Sequence, residues 1–208
     1  MREGGRMSED ATIGRPGQRR RGVERRQEIL DRAIEVFRRR GADGTSLRRI
    51  AESIGVSHAA LLHYFDSREQ LLVAVYDHAA AKQGEEEAAH PAEPGVEGMI
   101  AAATANVEVP GFVQLYSTLV AAALEVDSGV GKDYFTSRFE RLRAELGETF
   151  RAQQAEGRIR DDVSADHLAA LLIAASDGLQ IQWLLDASVG LSDTLRTFGM
   201  LLQAPRDR

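Results

Sequence analysis

Apolar residues recur along the chain at the spacing of α-helices. One short segment carries them at i, i+3, i+4 and i+7, namely Leu47, Ile50, Ala51 and Ile54. This periodicity predicts a helix with one buried face, and Thr45 or Ser46 can cap its first amides. Gly55 ends the helix because it tolerates the positive φ of a tight turn, and Ser57 can cap a second helix over residues 57–65.

A helix, a short glycine-containing turn and a second helix have the spacing of a DNA-binding helix-turn-helix. In that motif the second helix lies in the major groove, with its first residues against base edges. Here Leu61 (or Leu62) and Phe65 point inward in the predicted packing. The residues predicted on or beside the exposed face are Ser57, His58, Ala59, Ala60, His63 and Tyr64.

The remaining periodic segments predict an all-α protein. A first helix spans residues 23–40, and a fourth begins at a capping box of Ser67 and Gln70, whose side chain reaches back to Ser67, and runs to about residue 83. Residues 84–98, rich in Glu, Pro and Gly, predict a surface linker. The later helices are predicted at 99–107, 112–127, 132–156, 166–187 and 191–202.

The composition indicates the cellular compartment and an uneven distribution of charge along the chain. The 208 residues contain no cysteine, which excludes disulfides and thiolate metal sites and fits a reducing compartment. The net charge is −6, but residues 1–68 hold fifteen basic against ten acidic side chains, whereas the remainder is strongly acidic. A basic end on an acidic body is typical of a protein that contacts phosphates at one end only.

One stretch of sequence, residues 26–78, resembles the N-terminal domain of the TetR family of bacterial transcriptional regulators. The matching pieces are Ile29-Leu30, Ala33, Phe37, Gly41, Thr45-Ser46, Ile50-Ala51, Gly55-Val56-Ser57, His63-Tyr64-Phe65, Ser67-Arg68-Glu69 and Leu71-Leu72. Two features depart from the family pattern. Leu62 replaces a usual aromatic residue, and His58 and Arg68 stand where lysine is common, which bears on base preference and on phosphate contacts.

The resemblance implies a domain organisation and a set of DNA contacts. It implies a DNA-binding domain at residues 22–83, after a disordered basic arm at 1–21, and a helical ligand-binding and dimerisation domain at 84–208. In the family, positions matching Thr45, Tyr64 and Arg68 commonly contact phosphates. The full set of candidate DNA contacts is Thr45, Ser46, Arg48, Ser57, His58, Ala59, Ala60, His63, Tyr64 and Arg68.

The C-terminal half is expected to bind an apolar or amphipathic small molecule and to form a homodimer. The candidate ligand contacts are Phe112, Tyr116, Leu119, Asp177 and Trp183. A narrow apolar seam on residues 132–156 and a stripe of small residues on 166–187 suit a four-helix dimer interface. The candidate interface residues are Phe139, Leu142, Leu146, Leu171, Ala175 and Leu179, although core packing within one chain explains the same stripes.

The function expected on this basis is a ligand-responsive regulator, most simply a repressor that binds a pseudo-palindromic duplex operator as a dimer. The alternative is a small-molecule or protein-partner binding protein with a vestigial helix-turn-helix. No cofactor is expected, no histidine pair has metal-ligand helix spacing, and no catalytic motif is present. The absence of 18 consecutive apolar residues and of an N-terminal apolar segment favours a cytoplasmic, nucleoid-associated protein without membrane contact.

Overall fold

A computed structural model describes residues 16–40, 47–89, 92–109 and 111–203, without the side chains of 16–19, 37–40 and 86–89. These residues form the predicted all-α fold. The helices are α1 (Pro16–Arg40), α2 (Leu47–Ile54), α3 (His58–Leu62), α4 (Arg68–Ala89), α5 (Val96–Glu108), α6 (Phe112–Leu124), α7 (Val130–Ala155), α8 (Ala165–Leu185) and α9 (Leu191–Leu201).

Several predicted boundaries differ from the observed ones, and α3 ends at Leu62 rather than near residue 65. Helix α1 begins at Pro16, so residues 16–21 are helical rather than part of a disordered arm, and residues 1–15 lie outside the described residues. Helix α4 continues past the predicted end near residue 83 to Ala89, and α5 already begins at Val96. The predicted linker is therefore mostly helical, because its alanines and glutamates are strong helix formers that outweigh Gly84.

Helices α1–α3 pack on the first half of α4 and build the predicted helix-turn-helix. Ile29, Leu30 and Ala33 of α1 lie against Ile50 and Ala51 of α2, all with at most 2% of their surface exposed. The first core does not stop at this unit. The same cluster of buried residues continues through α4 to residues of α6 and α7, namely Phe112, Leu115, Tyr116, Leu119, Ala123 and Phe135.

A second core lies between α5, α7, α8 and α9. Its fully buried members include Phe150, Ala169, Leu172 and Leu195. Helices α7 and α8 pack closely as an antiparallel pair, at a point where a Cβ on Gly147 would lie 2.7 Å from Asp166 Oδ1.

Helix α8 is long and apolar enough to cross a membrane by length and composition, with a mean hydropathy of 1.5 in an 18-residue window. The sequence contains no unbroken run of 18 apolar residues, but the few polar residues of α8 do not bring its average hydropathy below this level. The structure places Leu168, Leu172 and Leu179 of α8 in the second core, as in the core helix of a soluble protein.

Candidate DNA-binding surface and effector cavity

The second helix of the motif, α3, is fixed by local capping and by two buried anchors. Gly55 adopts φ +74° in the turn, and Ser57 Oγ accepts a hydrogen bond from the Ala60 amide at 3.0 Å, which confirms the predicted N-cap. Leu61 and Phe65 are fully buried, whereas Leu62 is 42% exposed. The inward residue is thus Leu61, and Leu62 occupies the outer side.

The outer surface of α3 and its flanks is small and polar. His58, Ala59, Ala60 and His63 are exposed, and Tyr64 is half-buried with its ring 5.0 Å from that of His63. Tyr64 also packs against the first core, which orients its hydroxyl-bearing ring. Two alanines at the start of the helix leave room for its backbone to approach a groove closely, and the neighbouring imidazoles and hydroxyls can hydrogen-bond to bases or phosphates.

The arginines around this surface differ in their contacts and in their exposure. Arg48 is exposed and pairs with Glu52 at 3.2 Å along α2. Arg32 Nη1 donates to the Ile54 carbonyl at 3.1 Å, so it ties the end of α2 to α1. Arg68 is exposed at the start of α4. The candidates Thr45 and Ser46 lie outside the described residues.

Helix α4 begins beside this surface with a modified capping box. Ser67 Oγ accepts from the Gln70 amide at 3.0 Å, as the sequence predicts. The Gln70 side chain, however, accepts from the Asp66 amide at 2.5 Å instead of reaching Ser67. The Asp66 amide precedes the helix and has no carbonyl of an earlier turn to bind, so the glutamine supplies its acceptor.

A cavity of 260 Å³ opens between α4, α5, α6, α7 and α8. Its apolar wall is formed by side chains such as Met99, Ala103, Leu142, Leu146 and Ile173, together with the rings of Tyr76, Phe112 and Tyr116. Its polar groups come from Asn106, Arg138, Glu145, Thr149, Ser176, Asp177 and Gln180. An apolar hollow with a few convergent polar groups is typical of a small-molecule site.

Tyr116 and Asp177 form a hydrogen bond in the wall of this cavity, with the phenol donating to Asp177 Oδ2 at 2.9 Å. Burial raises the pKa of Asp177, while the Tyr116 hydrogen bond and the charge of Arg138 oppose the rise. Burial and the neighbouring Asp177 charge raise the pKa of Tyr116 as well. Both groups therefore keep their protons to higher pH than they would in water.

Arg138 is the cationic side chain of the cavity. Its guanidinium lies over the Tyr76 ring, 5.5 Å from the centroid, and burial raises the pKa of that tyrosine to about 12. The buried Nε of Arg138 has no hydrogen-bond partner among the described residues. Sequence reasoning missed this residue because it stands in a polar stretch of α7, where nothing marks it as inward-facing.

Three of the five candidate ligand residues line the cavity, namely Phe112, Tyr116 and Asp177. Leu119 does not reach it and is buried in the first core with 4% exposure. Trp183 lies near the end of α8, half-buried and away from the cavity lining. The residues that α5 and α7 supply were missed because their inward direction follows from how the helices cross.

Comparison with known proteins identifies the family. Residues 29–75 match the family described as "Bacterial regulatory proteins, tetR family". The HTH-type transcriptional repressor AcnR of Corynebacterium jeikeium is 30% identical over 193 residues, which cover 88% of this chain and 94% of that protein. The chain belongs to the TetR family.

Solved TetR-type structures share the fold. A TetR transcription regulator from Haloarcula marismortui superposes with a TM-score of 0.71 at 20% identity, covering 86% of this chain and 95% of that one. A transcriptional regulator from Saccharomonospora viridis, solved in complex with choline, gives 0.66 at 24% identity, covering 85% and 93%. At these identities the likeness concerns the fold alone.

TetR-family membership confirms the predicted class of protein. The chain is a helix-turn-helix transcriptional regulator and not an enzyme. TetR proteins bind DNA operators as dimers and bind small molecules, and their DNA-binding repressors are soluble cytoplasmic proteins. Within the described residues, no group of three or more His, Cys, Asp or Glu side chains is placed to hold a metal ion.

The candidate dimer residues of this TetR protein are scattered over different surroundings. Leu142 and Leu146 line the cavity, and Leu179 is buried in the second core with 8% exposure. Phe139 packs on the first core, and Ala175 packs on the second. Leu171 is the member of the set that is largely exposed, at 53%. The seam on α7 thus faces inward, toward the cavity.

A different apolar stripe faces outward on α8. It contains Leu171, Ala174, Gly178, Ile181 and Leu185, whose spacing of 3, 4, 3 and 4 residues is that of a helix-packing seam. Leu171, Ile181 and Leu185 are 53%, 50% and 85% exposed. A Cβ built on Gly178 would have no atom within 4 Å, so the centre of the stripe is open.

Proposed function

We propose that the protein is a repressor that binds a pseudo-palindromic operator as a homodimer and leaves it when a small molecule fills the cavity between α4 and α8. Residues 22–83 serve as the DNA-binding domain and 84–208 as the effector-binding and dimerisation domain, with the boundary inside α4. When bound to its operators, the protein is associated with the nucleoid. Its relatives named as transcriptional repressors support the direction of control.

The observation that carries this proposal is the core shared by the two domains. Leu61 and Phe65, which hold the recognition helix, belong to the same buried cluster as Phe112 and Tyr116, which line the cavity. Tyr76 of α4 stacks on Phe112 at 5.0 Å and lies 5.5 Å from Tyr116. Because packed cores switch between discrete arrangements, a molecule that moves these rings also moves α4 and the helix-turn-helix.

The proposed DNA contacts divide into two kinds. Thr45, Ser46, Arg48, Ser57, Tyr64 and Arg68 supply hydroxyls and charges for phosphates, while His58, Ala59, Ala60 and His63 face base edges. Phosphate contacts position the protein, and base contacts select the sequence. Two copies of α3 then have to lie about 34–36 Å apart to enter successive major grooves.

The outward stripe of α8 supports a dimer interface centred on Ala174 and Gly178. Their small side chains let two helices approach closely, and Leu171, Ile181 and Leu185 supply the apolar contact around them. A shallow groove beside the stripe, between α7 and α8, has Phe139 and Arg143 on one wall and Ala170 and Ala174 on the other. This assignment places the sequence-predicted Leu171 at the interface and moves Leu142, Leu146 and Leu179 away from it.

The effector is proposed to be an amphipathic small molecule, given the mainly apolar wall of the cavity and its few polar groups. Binding it and binding operator are then linked reciprocally. The effector lowers the affinity for the operator by the same factor as the operator lowers the affinity for the effector, because both bind preferentially to different states of the protein.

Gel-shift titration of the full chain against DNA from upstream of its own gene tests the function. We expect a sharp complex that survives excess unrelated duplex and weakens steeply with salt. Binding that excess competitor removes at every salt concentration would instead support the alternative in which the helix-turn-helix is vestigial.

A further inference from the structure

The effector cavity contains a cationic side chain, Arg138, with an unsatisfied hydrogen-bond donor. The buried Nε of Arg138 has no hydrogen-bond partner among the described residues. Buried polar atoms of folded proteins are almost always satisfied, so an atom of this kind marks the place of a missing partner. Since the guanidinium donates and never accepts hydrogen bonds, that partner has to be an acceptor, and an anionic one binds best.

Each of the carboxylates near Arg138 has another partner. Asp177 accepts the Tyr116 hydroxyl at 2.9 Å. Glu145, which also lines the cavity, is largely exposed and lies 3.9 Å from Arg141 on the solvent side of α7. Asp77 accepts the hydroxyl of Tyr134 at 2.9 Å. None of them accepts a hydrogen bond from the Arg138 Nε, so this donor can bind a molecule that enters from outside.

The rest of the cavity is mainly apolar and extends away from Arg138 along one face of α7. Leu142, Leu146 and Thr149 follow Arg138 at intervals of four, four and three residues, so the lined face is about 16 Å long at 1.5 Å per residue. Met99, Ala102, Ala103 and Ile173 cover it from α5 and α8. The volume of 260 Å³ is that of about nine liquid waters at about 30 Å³ each, which suits a small molecule with one polar end.

We propose that the effector is an amphipathic organic anion whose carboxylate binds the Arg138 guanidinium and whose apolar body lies along Leu142 and Leu146. This inference rests on the proposed function for its regulatory meaning, but not for the binding itself. The planar fork of arginine matches a carboxylate, and its position over the Tyr76 ring holds it in place. A cationic effector, such as the choline bound by the Saccharomonospora viridis regulator, would meet the charge of Arg138 instead.

Isothermal titration of the full-length dimer with matched probes tests the chemical class. Octanoate and phenylpropanoate are each compared with the corresponding amide and with a trimethylammonium compound of the same length. We expect both carboxylates to bind at least about tenfold more tightly than their amides, and the ammonium compounds to bind more weakly still. Equal or tighter binding of an amide or ammonium probe, or no binding of either carboxylate, would overturn the proposal.

Substitution of Arg138 tests the site. In Arg138→Gln, carboxylate affinity should fall roughly 10- to 100-fold while amide affinity stays within about threefold, and Arg138→Lys should recover part of the loss. Arg196→Gln, which removes an exposed arginine of α9, should change neither. If Arg138→Gln is unstable, the carboxylate-to-amide ratio in Arg138→Lys decides, because an unchanged ratio shows that the guanidinium is not the contact.

Operator binding separates this inference from the function on which it rests. Gel shifts with and without octanoate are run on the wild-type dimer and on Arg138→Gln. Carboxylate binding without any change in operator affinity supports the effector chemistry and contradicts release by the effector. Intact operator binding together with no carboxylate binding contradicts the effector chemistry and leaves the repressor proposal standing.

Discussion

Asp177 shows how burial within an apolar helix sets the proton affinity of a single carboxyl group. Its pKa is raised by burial, which exceeds the opposing effects of the Tyr116 hydrogen bond and the Arg138 charge. Between the ordinary carboxyl pKa and the raised value, the folded protein holds a proton that the unfolded chain has released. The free energy of unfolding therefore falls as the pH rises through this window.

Asp177→Asn should remove that pH dependence. The amide cannot ionise but still accepts the Tyr116 hydroxyl, so we expect the variant to melt a few degrees above the wild type at pH 7, since about 1 kcal/mol shifts Tm by about 2–4 °C at this size. At pH 4 the difference should shrink. Thermal melts at both pH values measure this, with the exposed Asp161→Asn as control, and a constant difference at both would contradict the assignment.

Substitutions of His58 and Tyr64, on the outer surface of α3 and its flank, should change DNA binding in different ways. His58→Ala should cost about 1–3 kcal/mol on the preferred operator and change which base is preferred at one position. Tyr64→Phe keeps the ring packed on the first core and removes only the hydroxyl, so binding to all sequences should weaken by roughly two- to tenfold. Binding to a randomised operator library measures both effects, and an unchanged preference in His58→Ala would remove histidine from base reading.

At the scale of elements, the start of α7 is capped by a side chain from the DNA-binding end of the molecule. Glu69, in the first turn of α4, accepts a hydrogen bond from the Gly131 amide at 2.9 Å. A carboxylate at a helix N-terminus satisfies a free amide and meets the positive end of the helix dipole. Helix α7 therefore connects the first turn of α4 directly with Arg138 in the cavity.

Glu69→Ala should loosen this connection. Loss of a capping side chain costs about 1 kcal/mol, so the melting temperature should fall by about 2–4 °C. Gly131→Ala should act alike, because its Cβ would lie 2.6 Å from Glu69 Oε1 and displace the carboxylate. In both variants effectors should weaken operator binding less than in the wild type. Glu148→Ala, an exposed change on α7, is the control, and full effector response in Glu69→Ala would exclude the cap from signalling.

Sequence patterns predicted those elements whose information is local. The Ser57 cap, the positive φ of Gly55 and the buried Phe65 depend on neighbours within a few residues, and all agree with the structure. The start of α1 was misplaced because its first turns are arginine-rich and carry no apolar period. Leu142 could not be assigned to a cavity or an interface from sequence, since both require the same spacing and only the helix crossing decides.

At the scale of the whole molecule, the second copy determines whether two recognition helices can bind at once. Helix α8 carries an open apolar stripe on the side away from the second core. A single protomer contacts one half-site. The affinity for the operator rises in a rigid dimer, because the second protomer contacts the other half-site without losing further rotational freedom. In the proposed dimer, the distance between the two α3 helices thus depends on the α8 contact.

Gly178→Arg should abolish the dimer. A long charged side chain at the open centre of the stripe prevents close approach and would be buried unpaired in the interface. We expect a folded monomer with operator affinity reduced at least about a hundredfold. Sedimentation velocity and gel shifts measure the two effects. The matched control, Ala122→Arg on the exposed side of α6, should remain dimeric, and a dimeric Gly178→Arg would place the interface elsewhere.

The continuous first core also limits how this regulator can be recombined with its relatives. A hybrid joined within α4 would place the DNA-binding domain of a relative against Phe112, Leu115 and Phe135. These side chains belong to the effector-binding domain, but they complete the core beneath the DNA-binding domain. If the DNA-binding domain is exchanged without those contacts, the hybrid should melt in two steps and no longer respond to the effector. A functional hybrid will need the surfaces of α6 and α7 that face the DNA-binding domain to come from the same relative as that domain.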